Sequence, residues 1–290
     1  PKSIAVIGAS GTPTKIGGVP IAHLLRYGYR GEIYPINPQY ETIQDLRAYP
    51  NVKAVGKEID LAIVAVPAAI ALNALKEAAE AKVKSVVLFT SGFAEVGEAG
   101  AKVQEQIGEL ARTSGMRILG PNCLGVMSGE TGVYATFSPV AGTGIVKQGN
   151  IGLVSQSGAF GGFSYSLARE RGLGLSHWIT TGNESDVDMS DCLDWMVDDA
   201  STKVILAYME GCRNGEKLIH AMEKARAAKK PIVIVKVGRT DLGAAAAASH
   251  TAALAGADAI YDAVFKQYGV HRAATIDEAF DVAYAVSIGG

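Results

Sequence analysis

The chain has 290 residues, a formal net charge of −2 and no long block of like charge, so it lacks the basic face that a nucleic acid or a membrane surface requires. Hydrophobic residues make up 48 %, enough for two cores at roughly 150 residues per domain, and no apolar run reaches the ~18 residues needed to cross a bilayer. Cys123, Cys192 and Cys212 are odd in number and widely spaced, which suggests neither a disulfide framework nor a zinc site and fits a reducing cytoplasm. The N-terminus runs directly into a strand pattern, so no signal peptide is expected.

Strand-length apolar runs alternate with amphipathic runs. In the first half, strands are expected at Ser3–Ala9, Glu32–Ile36, Leu61–Val66, Ser85–Phe89 and Arg117–Leu119, and helices at Gly18–Tyr27, Ala69–Ala81 and Ala99–Thr113. This is the βαβ pattern of a doubly wound parallel sheet. Gly125–Gly149 is rich in Gly, Ser and Thr, lacks helix periodicity, and reads as a connection holding at most a short hairpin. The alternation resumes at Asn150. Strands are expected at Ile151–Val154, Ser176–Thr180, Val204–Tyr208, Ile232–Val237 and near Val270–Ala273. Helices are expected at Phe160–Arg171, Met189–Asp198, Glu216–Ala228, Asp258–Tyr268 and Ile276–Val286.

The first strand enters a glycine-rich turn, Gly8-Ala9-Ser10-Gly11, with Lys15, Gly17 and Gly18 before the helix. Such a turn either offers backbone N–H groups and a helix N-terminus to a phosphate, with Lys15 as a nearby cation, or merely permits a tight bend. The strict Gly-x-Gly-x-x-Gly spacing is missing. Asn37-Pro38 stands where a nicotinamide-dinucleotide site would carry an acid for the ribose diol, which argues against an oxidoreductase. Val66-Pro67, Ser91-Gly92 and Asn122-Cys123 also end strands, and parallel strands present their C-termini along one edge.

Three segments of the second half carry chemistry. Val154 to Gly162 follows a strand and opens a helix, so Ser157, Gly158 and Ala159 either meet a phosphate or simply cap the helix. Ser155 stands where a nucleophile elbow would need Gly, which disfavours a hydrolase. Glu210, in Tyr208-Met209-Glu210-Gly211, ends an apolar strand on the same edge. His250 sits in a loop of small residues, where an imidazole can take up a phosphoryl group and pass it on. A carboxylate such as Glu210 would orient its ring. No second histidine stands at metal-ligand spacing, so no metal site is expected.

Together, Ser-Gln-Ser-Gly-Ala (155–159), Thr-Gly-Asn-Glu-Ser-Asp-Val-Asp (181–188), Tyr-Met-Glu-Gly (208–211), Lys-Val-Gly-Arg (236–239) and Ser-His-Thr-Ala-Ala-Leu-Ala-Gly (249–256) resemble the NDP-forming acyl-CoA synthetases. These are relatives of the succinyl-CoA synthetase α subunit, and the ADP-forming acetyl-CoA synthetases are the nearest group. The resemblance implies an α/β fold: a Rossmann-like CoA-binding domain over 1–127, a connector over 128–149, and a flavodoxin-like parallel-sheet domain over 150–290 that carries a phosphohistidine loop. It implies that Gly8, Ala9, Ser10, Gly11, Lys15, Asn37, Pro38, Val66, Pro67, Ser91, Gly92, Asn122 and Cys123 surround coenzyme A. It implies that His250 is phosphorylated, that Glu210 orients it, and that Ser157, Gly158 and Ala159 receive the phosphate. The implied reaction is carboxylate + CoA + ATP ⇌ acyl-CoA + ADP + phosphate, in an oligomeric cytoplasmic enzyme. The acid would be acetate or another carboxylic acid, including aromatic ones such as ferulate. ATP, ADP and Mg2+ would be held by an ATP-grasp subunit or domain, which these residues do not contain. Family members often have Gly where Ala252 stands, which implies a slightly stiffer loop here. A non-catalytic CoA-binding regulatory module is the alternative, and the presence of His250 weighs against it.

Overall fold

The computed structural model describes residues 1–238 and 258–289. They fall into two units: Pro1–Met127 with Thr131–Thr143 and Asn183–Val187, and Ser128–Glu130 with Gly144–Gly182 and the chain from Asp188 onward. Among the described residues, no helix is long and apolar enough to cross a membrane.

The first unit is built on five parallel strands: β1 (Ser3–Ile7), β2 (Glu32–Ile36), β5 (Leu61–Val64), β6 (Ser85–Leu88) and β7 (Arg117–Leu119), in the order β2-β1-β5-β6-β7. Two short strands, β3 (Thr42–Ile43) and β4 (Leu46–Arg47), form a separate hairpin after β2. The register sets Val6 beside both Pro35 and Ile63. Every residue of β1 and β5 is buried, as a strand covered on both faces must be. Pro35 is tolerated because β2 lies at the edge of its sheet. Helices α1 (Val19–Arg26), α2 (Ala68–Glu80) and α3 (Glu98–Ser114) connect the strands. Ala71, Leu75 and Ala78 of α2 and Ile107 and Ala111 of α3 pack into the core with Val64, Val86 and Ile118. The third parallel strand ends at Val64, two residues earlier than its apolar run suggests, because Val66 and Pro67 turn the chain into α2.

The segment read as a connection holds more order than expected: β8 (Gly125–Ser128), β9 (Val133–Thr136) and a four-residue helix, α4 (Pro139–Gly142). All of β9 is buried. It packs on α1, where the rings of Tyr27 and Tyr134 lie 4.4 Å apart and Tyr27 Oη donates to the carbonyl of Ala141. Helix periodicity was the wrong signal to seek here, since the order comes from long-range packing.

In the second unit β10 (Gln148–Ser155), β11 (Leu175–Thr180), β12 (Val204–Met209), β13 (Ile232–Lys236) and β14 (His271–Arg272) run parallel in the order β14-β13-β12-β10-β11. Helices α5 (Gly158–Glu170), α6 (Met189–Asp198), α7 (Gly215–Ala227), α8 (Asp258–Tyr268) and α9 (Ile276–Ile288) complete it. Asp188 and Asp191 form a reciprocal capping box at the start of α6. Counting parallel strands alone, both units follow the 2-1-3-4-5 order, with the chain direction reversing beside the first strand. That reversal opens a crevice at the strand C-termini.

Candidate functional site

In the first unit, the C-terminal ends of β1, β2 and β5 open into a cleft of about 800 Å³. Five of the residues singled out from sequence line it: Gly8, Asn37, Pro38, Val66 and Pro67. The reversal of strand order creates the gap. Gly8 keeps it open, because its φ is +84° and a Cβ there would stand 2.5 Å from the Ala65 carbonyl oxygen and 2.9 Å from Val66 Cγ1. Asn37 ties the two turns together: its Nδ2 donates to the Ala9 carbonyl at 2.8 Å and its Oδ1 accepts from the N–H of Gln39 at 3.0 Å.

The glycine-rich turn offers fewer backbone donors than its composition suggests. The N–H groups of Gly8 and Ala9 both donate to Ile36 O, at 3.1 and 3.2 Å, and that of Ser10 donates to Gly17 O at 3.3 Å. The turn folds onto itself so closely that a Cβ on Gly17 would fall 2.0 Å from Gly8 O. Ala9 is buried, whereas Gly11 and Lys15 are exposed; none of these, nor Ser10, lines the cleft.

Ser91, Gly92, Asn122 and Cys123 also lie outside its lining. A separate network inside this unit holds their turns. Glu95 accepts from the N–H of Gly92 at 2.5 Å and from Asn183 Nδ2, and Asn122 Nδ2 donates to Asn183 Oδ1 at 3.2 Å. Burial alone would raise the Glu95 carboxyl, but these donors outweigh it and hold it below the usual carboxylate range. Cys123 is 2 % exposed, with Sγ 3.5 Å from Leu88 O, and burial pushes its thiol up to about 12. Cys123 is thus buried as a whole residue and does not reach the cleft.

The sequence reading missed Ile70, Asn73 and Glu77 of α2, which line the cleft, as well as Pro50 and Asn51. The first three recur at helical spacing away from the buried face of Ala71, Leu75 and Ala78. That second stripe was the available signal. The Asn183–Val187 segment stands out in the sequence only as part of the 181–188 motif, with no site role. It runs beside the end of β7, with Asn183 and Ser185 donating their N–H groups to Pro121 O and Gly120 O at 2.9 Å each.

In the second unit, Ser157 is the N-cap of α5 and accepts from the N–H of Phe160 at 3.2 Å. Gly158 and Ala159 are the first helical residues, whose N–H groups have no acceptor within the helix. Gly161 lets the helix lie close to β11, since a Cβ there would meet Thr180 Cγ2 at 2.6 Å. The neighbouring turn carries Glu210, which is 6 % exposed. The side chain of Gln156 joins the two turns: Oε1 accepts from the N–H of Glu210 at 2.6 Å and of Gly211 at 3.0 Å, while Nε2 donates to Gly211 O at 2.9 Å. Gln156 had been read only as part of a motif.

Lys236 lies beneath this arrangement, 2 % exposed, with Nζ donating to Glu210 O at 3.0 Å and sitting 4.5 Å from the centre of the Tyr261 ring. Burial lowers the Lys236 ammonium below its ordinary value, and the nearby Arg272 guanidinium adds to that. Tyr208 stacks on Phe160 with ring centres 3.9 Å apart, and burial followed by the Glu210 charge raises its phenol. His250 lies outside the described residues. Among the described residues, no group of three or more His, Cys, Asp or Glu side chains is arranged to hold a metal.

Comparison with known proteins matches residues 2–129 to the CoA binding domain and residues 148–286 to the succinyl-CoA ligase like flavodoxin domain. The alpha subunit of ADP-forming acetate–CoA ligase I from Pyrococcus furiosus is 44 % identical over 99 % of this chain and 62 % of its own length. The ADP-forming 4-hydroxybutyrate–CoA ligase of Nitrosopumilus maritimus is 39 % identical over 99 % of this chain and 41 % of its own. A solved structure, the acetyl-coenzyme A synthetase 1 of Ca. Korarchaeum cryptofilum in complex with phosphate and ADP, superposes with a TM-score of 0.93 at 39 % identity, covering 99 % of this chain and 61 % of that one. The chain thus spans less than two thirds of the length of these relatives. With both domains matched in order and the fold shared throughout, the chain belongs to the NDP-forming acyl-CoA synthetase family.

Proposed function

We propose that this chain is the CoA-binding, phosphohistidine-carrying part of an acyl-CoA synthetase that catalyses carboxylate + CoA + ATP ⇌ acyl-CoA + ADP + phosphate. The observation that carries the proposal is the Gln156 side chain, which holds the helix-start turn of Ser157 against the Glu210 turn. In this reading the γ-phosphoryl group of ATP passes to a ring nitrogen of His250. The N-terminus of α5, with the Ser157 hydroxyl and the N–H groups of Gly158 and Ala159, receives phosphate. Glu210 holds the imidazole in the tautomer that accepts and releases the phosphoryl group. Transfer to the carboxylate gives an acyl phosphate. The CoA thiol attacks its carbonyl and expels phosphate. The cleft at β1, β2 and β5 binds CoA, and an ATP-grasp subunit or domain supplies the nucleotide site with its Mg2+. Acetate and other short acids are the first substrates to try.

The chain, incubated with its ATP-grasp partner and γ-labelled ATP, should become labelled at His250. Label that persists in His250→Asn overturns the phosphohistidine assignment. Titration calorimetry with CoA tests the cleft independently.

A further inference from the structure

A second, smaller chamber of about 390 Å³ adjoins the cleft and shares Asn37, Pro38 and Pro50 with it. Its other walls include Tyr40 and Glu41, just before the β3–β4 hairpin, and Arg47 at its end. The hairpin tip is Gln44-Asp45, with φ of 48° and 64°, a left-handed conformation that non-glycine residues adopt only under strain. Gln44 holds it in place: its Nε2 donates to Ser10 O at 3.2 Å and to Gly18 O at 2.9 Å, fastening the hairpin to the glycine-rich turn. Arg47 in turn lies with its guanidinium carbon 5.1 Å from the centre of the Tyr49 ring, and Tyr49 is bonded to the end of β2 through Pro35 O and the N–H of Asn37, at 2.9 Å each.

Charge decides what this chamber can take. CoA carries a diphosphate and a phosphomonoester on its ribose, yet the ionisable side chain lining the main cleft is an acid, Glu77. The cation of the adjoining chamber is Arg47. In doubly wound sheets the ribose lies at the end of the second strand, where an acid binds a bare diol and an arginine accommodates a ribose phosphate. Here that position is Asn37-Pro38, with Arg47 beside it.

We infer that the chamber receives the phosphomonoester on the ribose of the bound ligand, with Arg47 as its cationic partner. The inference rests on the CoA reading of the main cleft. Glu41 lines the same chamber and repels a phosphate there, so changes at Arg47 and Glu41 must act in opposite directions.

Titration calorimetry of the chain with CoA and with 3′-dephospho-CoA is the test. Arg47→Met should weaken CoA about 10-fold, the loss of one exposed charge-assisted contact, and leave 3′-dephospho-CoA unchanged. Glu41→Gln should tighten CoA alone. If Arg47→Met weakens both ligands equally, or neither, the inference is overturned. If the chain instead binds NADP+ in an Arg47-dependent way and ignores CoA, the ribose-phosphate inference stands while the CoA reading falls. Binding of neither removes both.

Discussion

The carboxamide of Gln156 closes on Gly211 from two sides: Oε1 accepts its N–H at 3.0 Å and Nε2 donates to its carbonyl at 2.9 Å. Both residues are buried, so these bonds are made away from water. Two loops that are 55 residues apart in the chain are thereby held as one surface.

Gln156→Leu keeps much of the volume but deletes the bonds and leaves the buried amides of Glu210 and Gly211 without this acceptor. We expect a loss of about 2–3 kcal/mol in unfolding free energy, measured by urea denaturation. Phosphorylation of the chain should slow in parallel. A variant as stable and as readily phosphorylated as wild type would show that the clamp is incidental.

Glu210→Gln is nearly isosteric, so the fold should survive. If the carboxylate orients the phosphorylated imidazole, the rate of label incorporation from γ-labelled ATP should fall about 100-fold or more. CoA affinity should not change, because the cleft lies in the other unit. An unaltered labelling rate would remove Glu210 from the chemistry.

Gly8 and Gly28 separate crowding from backbone strain. Both have positive φ, +84° and +77°, but a Cβ on Gly28 meets nothing within 4 Å, whereas one on Gly8 meets Ala65 O at 2.5 Å. Gly28→Ala should cost about 1–2 kcal/mol from conformation alone. Gly8→Ala should cost more and should abolish CoA binding, since the clash lies in the cleft wall. Thermal unfolding and calorimetry read the two effects, and equal penalties would refute the steric account.

His23 is 6 % exposed, and burial, with the Arg26 charge as a lesser contribution, holds its imidazole below the ordinary value of 6.5. The folded state therefore prefers the neutral ring. As pH falls below about 6.5 the unfolded chain takes up a proton that the folded chain refuses, so this contribution to stability is lost between 6.5 and the lower folded value. His23→Gln should flatten the fall in urea midpoint between pH 7.5 and 5.5. Identical slopes for both proteins would show that His23 does not contribute.

The thiol of Cys123, pushed up to about 12 by burial, stays protonated at pH 8, whereas Cys212 is partly exposed. Iodoacetamide at pH 8 should modify Cys212 while leaving Cys123 intact until the chain is unfolded. Peptide mapping that found early modification at Cys123 would contradict its burial.

Much of this protein was legible in one dimension. Apolar runs such as Leu61–Val66 announce parallel strands, and α6 and α8 fall where hydrophobic periodicity puts them, because burial of one face is written at fixed spacing in the sequence. Asn37-Pro38, Val66-Pro67 and Ser157 were visible as strand-end and helix-start residues for the same local reason. Tertiary structure alone decided the rest. Gln156 reaches Gly211, Gln44 reaches Ser10 and Gly18, and Asn183 joins the network of Asn122 and Glu95, all through hydrogen bonds between residues far apart in the chain. Periodicity records which face of an element is buried. It holds no record of which distant polar group a side chain will meet, because that depends on strand order and on the closeness of packing that glycines such as Gly8 and Gly161 allow.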